Sequence, residues 1–203
     1  NVDLIPYDYN PSKTKELLEQ AGWKNTNGDE TIDRKVDGTR IEFVVDLMIN
    51  SGSDERKSIA LLFQEAARKV GIIINVVALD WSVFLDRSKN QEFDMFVGGW
   101  VSSPLPNDFK QIFHTESAQN GGSNYVSYSS PEADALIELI RVNLNEDSRA
   151  DMYKRFQAIL HEDAPYIFLW APLERIAIQK RFTNADVSIM RPGYWEAGFQ
   201  VIE

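Results

Sequence analysis

Residues 93–104, FDMFVGGWVSSP, run from an apolar strand into two glycines, a tryptophan and then a polar turn. A strand that stops in this way is most useful at the carboxyl end of a parallel sheet, where helices diverge and leave a crevice for a ligand. Glycine removes the side chain where another backbone or a ligand approaches, and an indole offers a broad apolar wall with one N–H donor. The alternative is that Trp100 plugs the end of the core and the glycines mark a bulge; the stretch by itself leaves both readings open.

Working back from residue 93, strands and helices alternate. DWSVFLDRSK reads as a helix over 81–89 with Asp80 as its cap, preceded by the β-branched run IIINVVAL (72–79), which reads as a strand covered on both faces. Before it, a helix begins near Ser53 and carries Ile59, Leu62, Phe63, Ala66 and Val70 toward a core, with Gly71 stopping it. IEFVVDLMI (41–49) is a further strand, and KNTNGDETIDRKVDGTR (24–40) a small exposed hairpin or loop. Asn10 and Pro11 open a short helix that Gly22 closes. Strand, helix, strand, helix, strand with short links implies right-handed crossovers and an α/β class with a mixed, mostly parallel sheet flanked by helices.

Beyond residue 104, HTESAQNGGSNYVSYS (114–129) is a long irregular stretch with a possible binding or lid role. Ser130–Pro131 starts a helix through Asn143, and SRAD (148–151) reads as a capping box for another reaching about Glu162. YIFLWA and RIAIQ read as an antiparallel strand pair around Pro172 and Leu173, and RPGYWEAGFQVIE as a segment leaving the domain.

The bulk properties narrow the function. At 203 residues the chain fits one domain or one lobe, and a formal charge of −10 disfavours nucleic acid and anionic membrane surfaces. Without cysteine there is no disulfide, thiolate metal site or cysteine nucleophile. No nucleophile elbow, phosphate loop or dinucleotide fingerprint occurs. His114 and His161 lack ligand spacing and read as surface residues, and aligning Gly28 with the turn of a calcium loop puts Trp23 and Arg34 where carboxylates belong. No catalytic residue, metal or cofactor is expected. Trp81, Phe84 and Leu85 fall at core spacing, although Trp81 could also line a cleft.

Four segments in order, YNPSKTKELLEQAGW, FDMFVGGW, GGSNYVSY and RFQAILHEDAPYIFL, resemble the second lobe of the bacterial extracellular solute-binding proteins that serve oligopeptide, dipeptide and nickel ABC importers. The resemblance implies a lobe of the periplasmic-binding-protein type (type II), residues 1–203 forming one carboxyl-terminal lobe, with about 190–203 returning toward a first lobe. It implies a non-enzymatic substrate-binding component that closes on a peptide or other small solute by hinge motion. It also implies an inner-membrane ABC permease as partner, and a periplasmic or extracellular location with a possible lipid anchor. An export signal would lie outside this sequence, because NVDLIPYDYN has neither a basic nor an apolar leader region. A hydrolase or transferase domain and a protein-interaction domain are the competing classes.

Carried over by position, Trp100 matches a tryptophan at the cleft, and Asn124 and Tyr125 sit in a segment bordering it. Ser102 and Ser103 supply hydroxyls beside them. In peptide-binding members the third residue after that tryptophan is often an aspartate that pairs with the peptide amine; here it is Ser103. A hydroxyl cannot neutralise an ammonium, so either the ligand is not an ordinary free peptide or Asp108 takes the role, unless Asp108 only caps the helix that follows.

Overall fold

The computed structural model describes residues 1–101, 108–119, 121–171, 173, 175–188 and 193–202. Helix α1 (Pro11–Gln20) starts where Asn10 accepts from the Lys13 amide and proline occupies the first turn. A hairpin follows, β1 (Asp33–Val36) with β2 (Thr39–Glu42), turning through Asp37 and Gly38, both at positive φ. That geometry matches the twist of the strands, which explains the Asp-Gly pair at the turn.

The expected strand 41–49 divides at Phe43. β2 ends at Glu42, and β3 (Val44–Asn50) begins beyond a residue whose N–H donates to Ile32 and whose carbonyl accepts from Ile73. Helix α2 (Asp54–Arg68) is capped by Ser53, and β4 (Ile73–Leu79), α3 (Trp81–Lys89) and β5 (Met95–Phe96) complete the unit. β3 pairs in parallel with both β4 and β5, in the order β4-β3-β5. The α/β class with parallel crossovers is therefore correct, but the strand of FDMFVGGW is a short edge strand and not the central one.

Other details depart from expectation for identifiable reasons. β4 is also an edge, with Ile73, Asn75 and Ala78 exposed, so a continuous β-branched run did not signal burial on both faces. On α2 the buried side runs through Ala60, Ala67 and, past the helix end, Val70, while Leu62 projects the other way and is 74% exposed. Asp80 precedes α3 without capping it through its side chain.

The second half is helical: α4 (Lys110–Phe113), a helical turn at Thr115–Ala118, α5 (Pro131–Val142) and α6 (Glu146–Asp163). α6 starts before the SRAD box, because Asn145 accepts the Ser148 amide at 2.8 Å and Glu146 and Asp147 complement the helix dipole. The described residues of 166–171 and 175–179 form no strand pair; Ile167, Phe168, Leu169, Trp170 and Leu173 are exposed. The tail turns back instead, β7 (Gln200–Val201) pairing antiparallel with β6 (Phe182–Thr183).

Two apolar clusters result. One lies between the sheet and α2 around Leu47, Ile49, Ala60, Ala67 and Ile74; the other joins α4, α5 and α6 around Phe113, Ile137, Ile140, Phe156 and Leu160. Gln91 stitches the halves together: its amide donates to the Ala118 carbonyl and its carbonyl accepts from the Ser127 hydroxyl, both at 2.9 Å. This tie brings the 114–129 stretch beside the end of β5.

Candidate functional site

At the carboxyl edge of the parallel sheet three chain segments converge. After β3, the Ser51 amide donates to Leu79 at 2.9 Å and its hydroxyl reaches Asp80, which closes this corner onto the end of β4. Trp81 follows at once, stacked on the buried Phe84 with 5.6 Å between centroids and under the Arg56 guanidinium at 5.7 Å. Trp81 is half exposed, so the core role expected from its spacing belongs to Phe84 instead.

After β5, the Val97 amide continues the ladder to Met48, and the two glycines then act differently. A Cβ on Gly98 would stand 2.7 Å from the ring of Phe96, whereas one on Gly99 would meet nothing within 4 Å. Gly98 thus makes room for Phe96, whose ring contacts Phe84, Phe93 and Tyr125, and Gly99 leaves backbone open toward solvent. Trp100 follows, 48% exposed and 5.7 Å from Tyr125. Ser102 and Ser103 lie outside the described residues.

Tyr125 is held by its neighbour. Asn124 is 1% exposed; its amide nitrogen donates to the carbonyls of His114 and Tyr128, at 3.1 and 2.8 Å, and its oxygen accepts from the Tyr128 amide at 2.9 Å. All of this side chain's polar capacity in the structure serves the loop, which makes Asn124 an organiser of the segment that carries Tyr125. Gly122 seals the same loop, since a Cβ there would fall 2.2 Å from the Ser117 carbonyl oxygen. His114, expected at the surface, is buried beneath the loop, with Nδ1 accepting from the Glu116 amide.

Asp108 is fixed at the start of α4. One carboxylate oxygen accepts the Lys110 amide at 3.0 Å and the other the Arg141 Nε at 3.1 Å. Arg141 and Lys110 also bind Glu138, and Lys110 reaches Glu116. The Lys110 ammonium is the main reason the Glu138 carboxyl is held below its ordinary range. Asp108 thus anchors the chain where it returns from the segment after Trp100.

A hollow of about 410 Å³ lies elsewhere, at the amino edge of the sheet, lined by Trp23, Ile32, Arg68 and Gly71 among others. Residues 1–122 match the family described as bacterial extracellular solute-binding proteins, family 5 Middle. The chain belongs to that family.

Among its relatives in the family, the chain is 33% identical over 180 residues to an oligopeptide-binding protein, AppA, of Bacillus subtilis, covering 88% of this chain and 32% of that protein. The solved structure of the Bacillus subtilis AppA in complex with a nonapeptide overlays with a TM-score of 0.87 at 31% identity, over 100% of this chain and 40% of that one. NikZ from Campylobacter jejuni in complex with Ni(L-His) overlays with a TM-score of 0.70 at 29% identity, over 81% of this chain and 32% of that one. The chain thus spans about a third of the length of these family members, and its fold is that of a periplasmic binding protein lobe.

Sequence reading passed over two groups in this chain. Among the described residues, a buried Arg56 Nη1 has no hydrogen-bond partner, and neither has the buried Tyr166 hydroxyl. Burial is the main cause that raises the Tyr166 phenol above its ordinary value, and the nearby Trp100 indole N–H opposes it by favouring the phenolate. Neither residue lies in a motif, and only the packed fold isolates their polar atoms.

Tyr128 supplies a pH test of the loop. Burial first, and then the bond from its hydroxyl to Asp163 at 2.5 Å, push its phenol up to about 12. A pKa raised above the unfolded value of about 10 contributes stability that is complete below that pH and is lost as pH rises through the folded value. The lobe is expected to lose stability between about pH 10 and 12, and Tyr128→Phe to flatten that decline in denaturant titrations. Identical slopes for both proteins would refute the assignment.

Proposed function

We propose that this chain is one lobe of the substrate-binding component of an ABC importer, which holds an oligopeptide-like or other small solute against a second lobe and delivers it to a membrane permease. The observation that carries this reading is the set of half-exposed rings, Trp81, Trp100 and Tyr125, gathered at the carboxyl edge of a parallel sheet. An open edge of this kind buries only one side of a ligand, and tight small-molecule sites enclose most of it. A second lobe supplies the missing wall, in keeping with relatives that are some three times longer than this chain.

Residues 1–203 form the carboxyl-terminal lobe. The exposed Ile167, Phe168, Trp170 and Leu173 are the surface on which the rest of the polypeptide packs, since single molecules rarely leave so contiguous an apolar run in water. The protein works outside the cytoplasm, held near its permease, and catalyses no reaction. Trp100 and Tyr125 form a ligand wall, with Ser102 and Ser103 proposed as hydroxyl partners and Asn124 as the support of Tyr125. Asp108, already paired with Arg141, is the weaker candidate for a ligand amine. Peptide is the favoured cargo because the Bacillus subtilis relative was solved with a nonapeptide and nothing in the aromatic wall requires a metal chelate.

The test is mass spectrometry under native conditions on the complete protein purified without added ligand, followed by calorimetry with the molecule it retains. Trp100→Ala is expected to weaken binding roughly 30-fold, the ordinary effect of removing a buried aromatic anchor worth about 2 kcal/mol. Because the ring is half exposed in the free lobe, the unfolding midpoint should barely change. Unaltered affinity would sink the reading of this edge as the binding face.

A further inference from the structure

A guanidinium nitrogen buried without an acceptor is unfavourable, and Arg56 holds its Nη1 in that state. Among the described residues its side chain makes no ion pair either. The helix does not account for the charge. Arg56 sits in the first turn of α2, where its amide donates to the Ser53 hydroxyl at 3.3 Å, so the cap uses only its backbone. A cation there also meets the positive end of the helix dipole. What faces the charge is a ring: the guanidinium carbon lies over Trp81, 5.7 Å from its centroid, within the range at which a tryptophan face attracts a cation.

The sheet brings the two together. Asn50 of β3 pairs with Leu79 of β4, so the turns that leave these parallel strands emerge side by side, one leading into α2 with Arg56 and the other into α3 with Trp81. The Ser51 amide fastens them by donating to the Leu79 carbonyl at 2.9 Å. Trp81 lies nearly parallel to Phe84, with 12° between the planes, but half of it is in solvent, and a single stacked neighbour leaves a ring free to slide.

We propose that Arg56 is a positioning residue for Trp81: its charge, left without an anion, is held against the indole and so fixes the angle at which Trp81 stands at the carboxyl edge of the sheet. The contact joins the start of α2 to the start of α3, and it lets a half-exposed ring behave as a rigid wall. A rigid aromatic loses little freedom when a ligand packs on it, which is the general advantage of preorganisation. The consequence for binding rests on the proposed role of this edge in holding solute; the contact itself does not.

Nitrogen-15 relaxation of the indole groups in the complete protein tests this. The Trp81 resonance is identified by its loss in Trp81→Phe and then followed in Arg56→Met, which keeps an apolar stem without the charge, and in Arg56→Lys, which keeps the charge. The expected result is a Trp81 order parameter that falls from roughly 0.85 to below about 0.6 in Arg56→Met and recovers at least half of the loss in Arg56→Lys, while Trp23, Trp100, Trp170 and Trp195 are unmoved. A value as high in Arg56→Met as in wild type, or no higher in Arg56→Lys than in Arg56→Met, overturns the proposal, since packing of the stem would then suffice. Fluorinated tryptophans, which drain charge from the ring face at nearly constant size, repeat the test with Arg56 intact: the order of Trp81 should fall with each added fluorine, and no change overturns the proposal. With a synthetic mixture of random nonapeptides as probe, Arg56→Met is expected to bind about threefold more weakly, the share of one cation–π contact at a half-exposed site. If the wild type takes up no peptide but the order of Trp81 still depends on the charge, the contact stands and the peptide cargo falls.

Discussion

Phe156→Ala is expected to destabilise the chain by about 3–5 kcal/mol, the largest loss of any single truncation considered for this fold. Phe156 is 1% exposed and lies on α6 facing α4. Its ring contacts Phe109 at 5.4 Å and meets Phe113 near a right angle at 5.8 Å, while Ile137 and Ile140 of α5 close the same cluster. Removing it deletes a large apolar surface and leaves a cavity that rigid neighbouring rings cannot fill. A loss of that size is a large part of the 5–15 kcal/mol that holds an ordinary domain together. In denaturant titrations the transition should move far toward water, with Leu144→Ala, a truncation at an almost fully exposed position, unchanged as control. A shift below about 1 kcal/mol would mean that α6 does not pack on α4 as described.

The effect should also reach the ligand edge. Phe113 ends α4, which starts at Lys110 and is preceded by Asp108 and Phe109, and Phe113 also supports Tyr128 and Tyr166. Loosening that cluster loosens the loop that presents Tyr125. The helical core is thus both the stabilising centre of this half and the base of the aromatic wall.

How much of this was legible depends on the kind of signal. Helix starts were written locally: Asn10–Pro11, Ser53 and Ser130–Pro131 each place a cap where a few neighbouring residues suffice to specify it. The parallel order of the sheet also followed from the alternation of strands and helices. Burial of β4 was not legible, because Ile-Ile-Ile is the same string on an edge as in the middle of a sheet, and the order β4-β3-β5 is a property of pairing. YIFLWA misled for a related reason: strand propensity needs a partner strand, and none pairs with it among the described residues.

The site shows the same division. Gly98, Gly99 and Trp100 announce an unusual strand end, but only coordinates separate a glycine that accommodates Phe96 from one that leaves backbone open. Trp81 had the spacing of a core residue and a place at the edge, because the first residue of a helix after a strand stands at the rim whatever its polarity. Tyr166 carried no signal, since an unpartnered oxygen is defined by everything packed around it.

Asn124→Ala is expected to cost about 2–4 kcal/mol and to release Tyr125 from Trp100. The substitution leaves the Tyr128 carbonyl and amide without the Asn124 side chain inside a loop that excludes much of the water, while the His114 carbonyl loses one of two donors and keeps the Ser117 amide. Each such group costs on the order of 1 kcal/mol or more when buried unmade, and water entering a part-buried site recovers some of it. Loss of aromatic circular dichroism at a temperature where helical signal persists is the expected sign that the loop melts first. Asn124→Asp separates hydrogen bonding from mere volume. An ionised aspartate keeps the acceptor for the Tyr128 amide but sets a charged oxygen against two carbonyl oxygens, so its folded pKa rises above the unfolded value of about 3.9. A raised carboxyl pKa contributes stability at low pH and loses it as pH rises through the folded value. The aspartate variant should therefore approach the wild type near pH 4 and fall well below it at pH 7. A deficit equal at both pH values would show that the loop is held by packing around Asn124 and not by its amide, and Tyr125 would then owe its place beside Trp100 to the ring contacts alone.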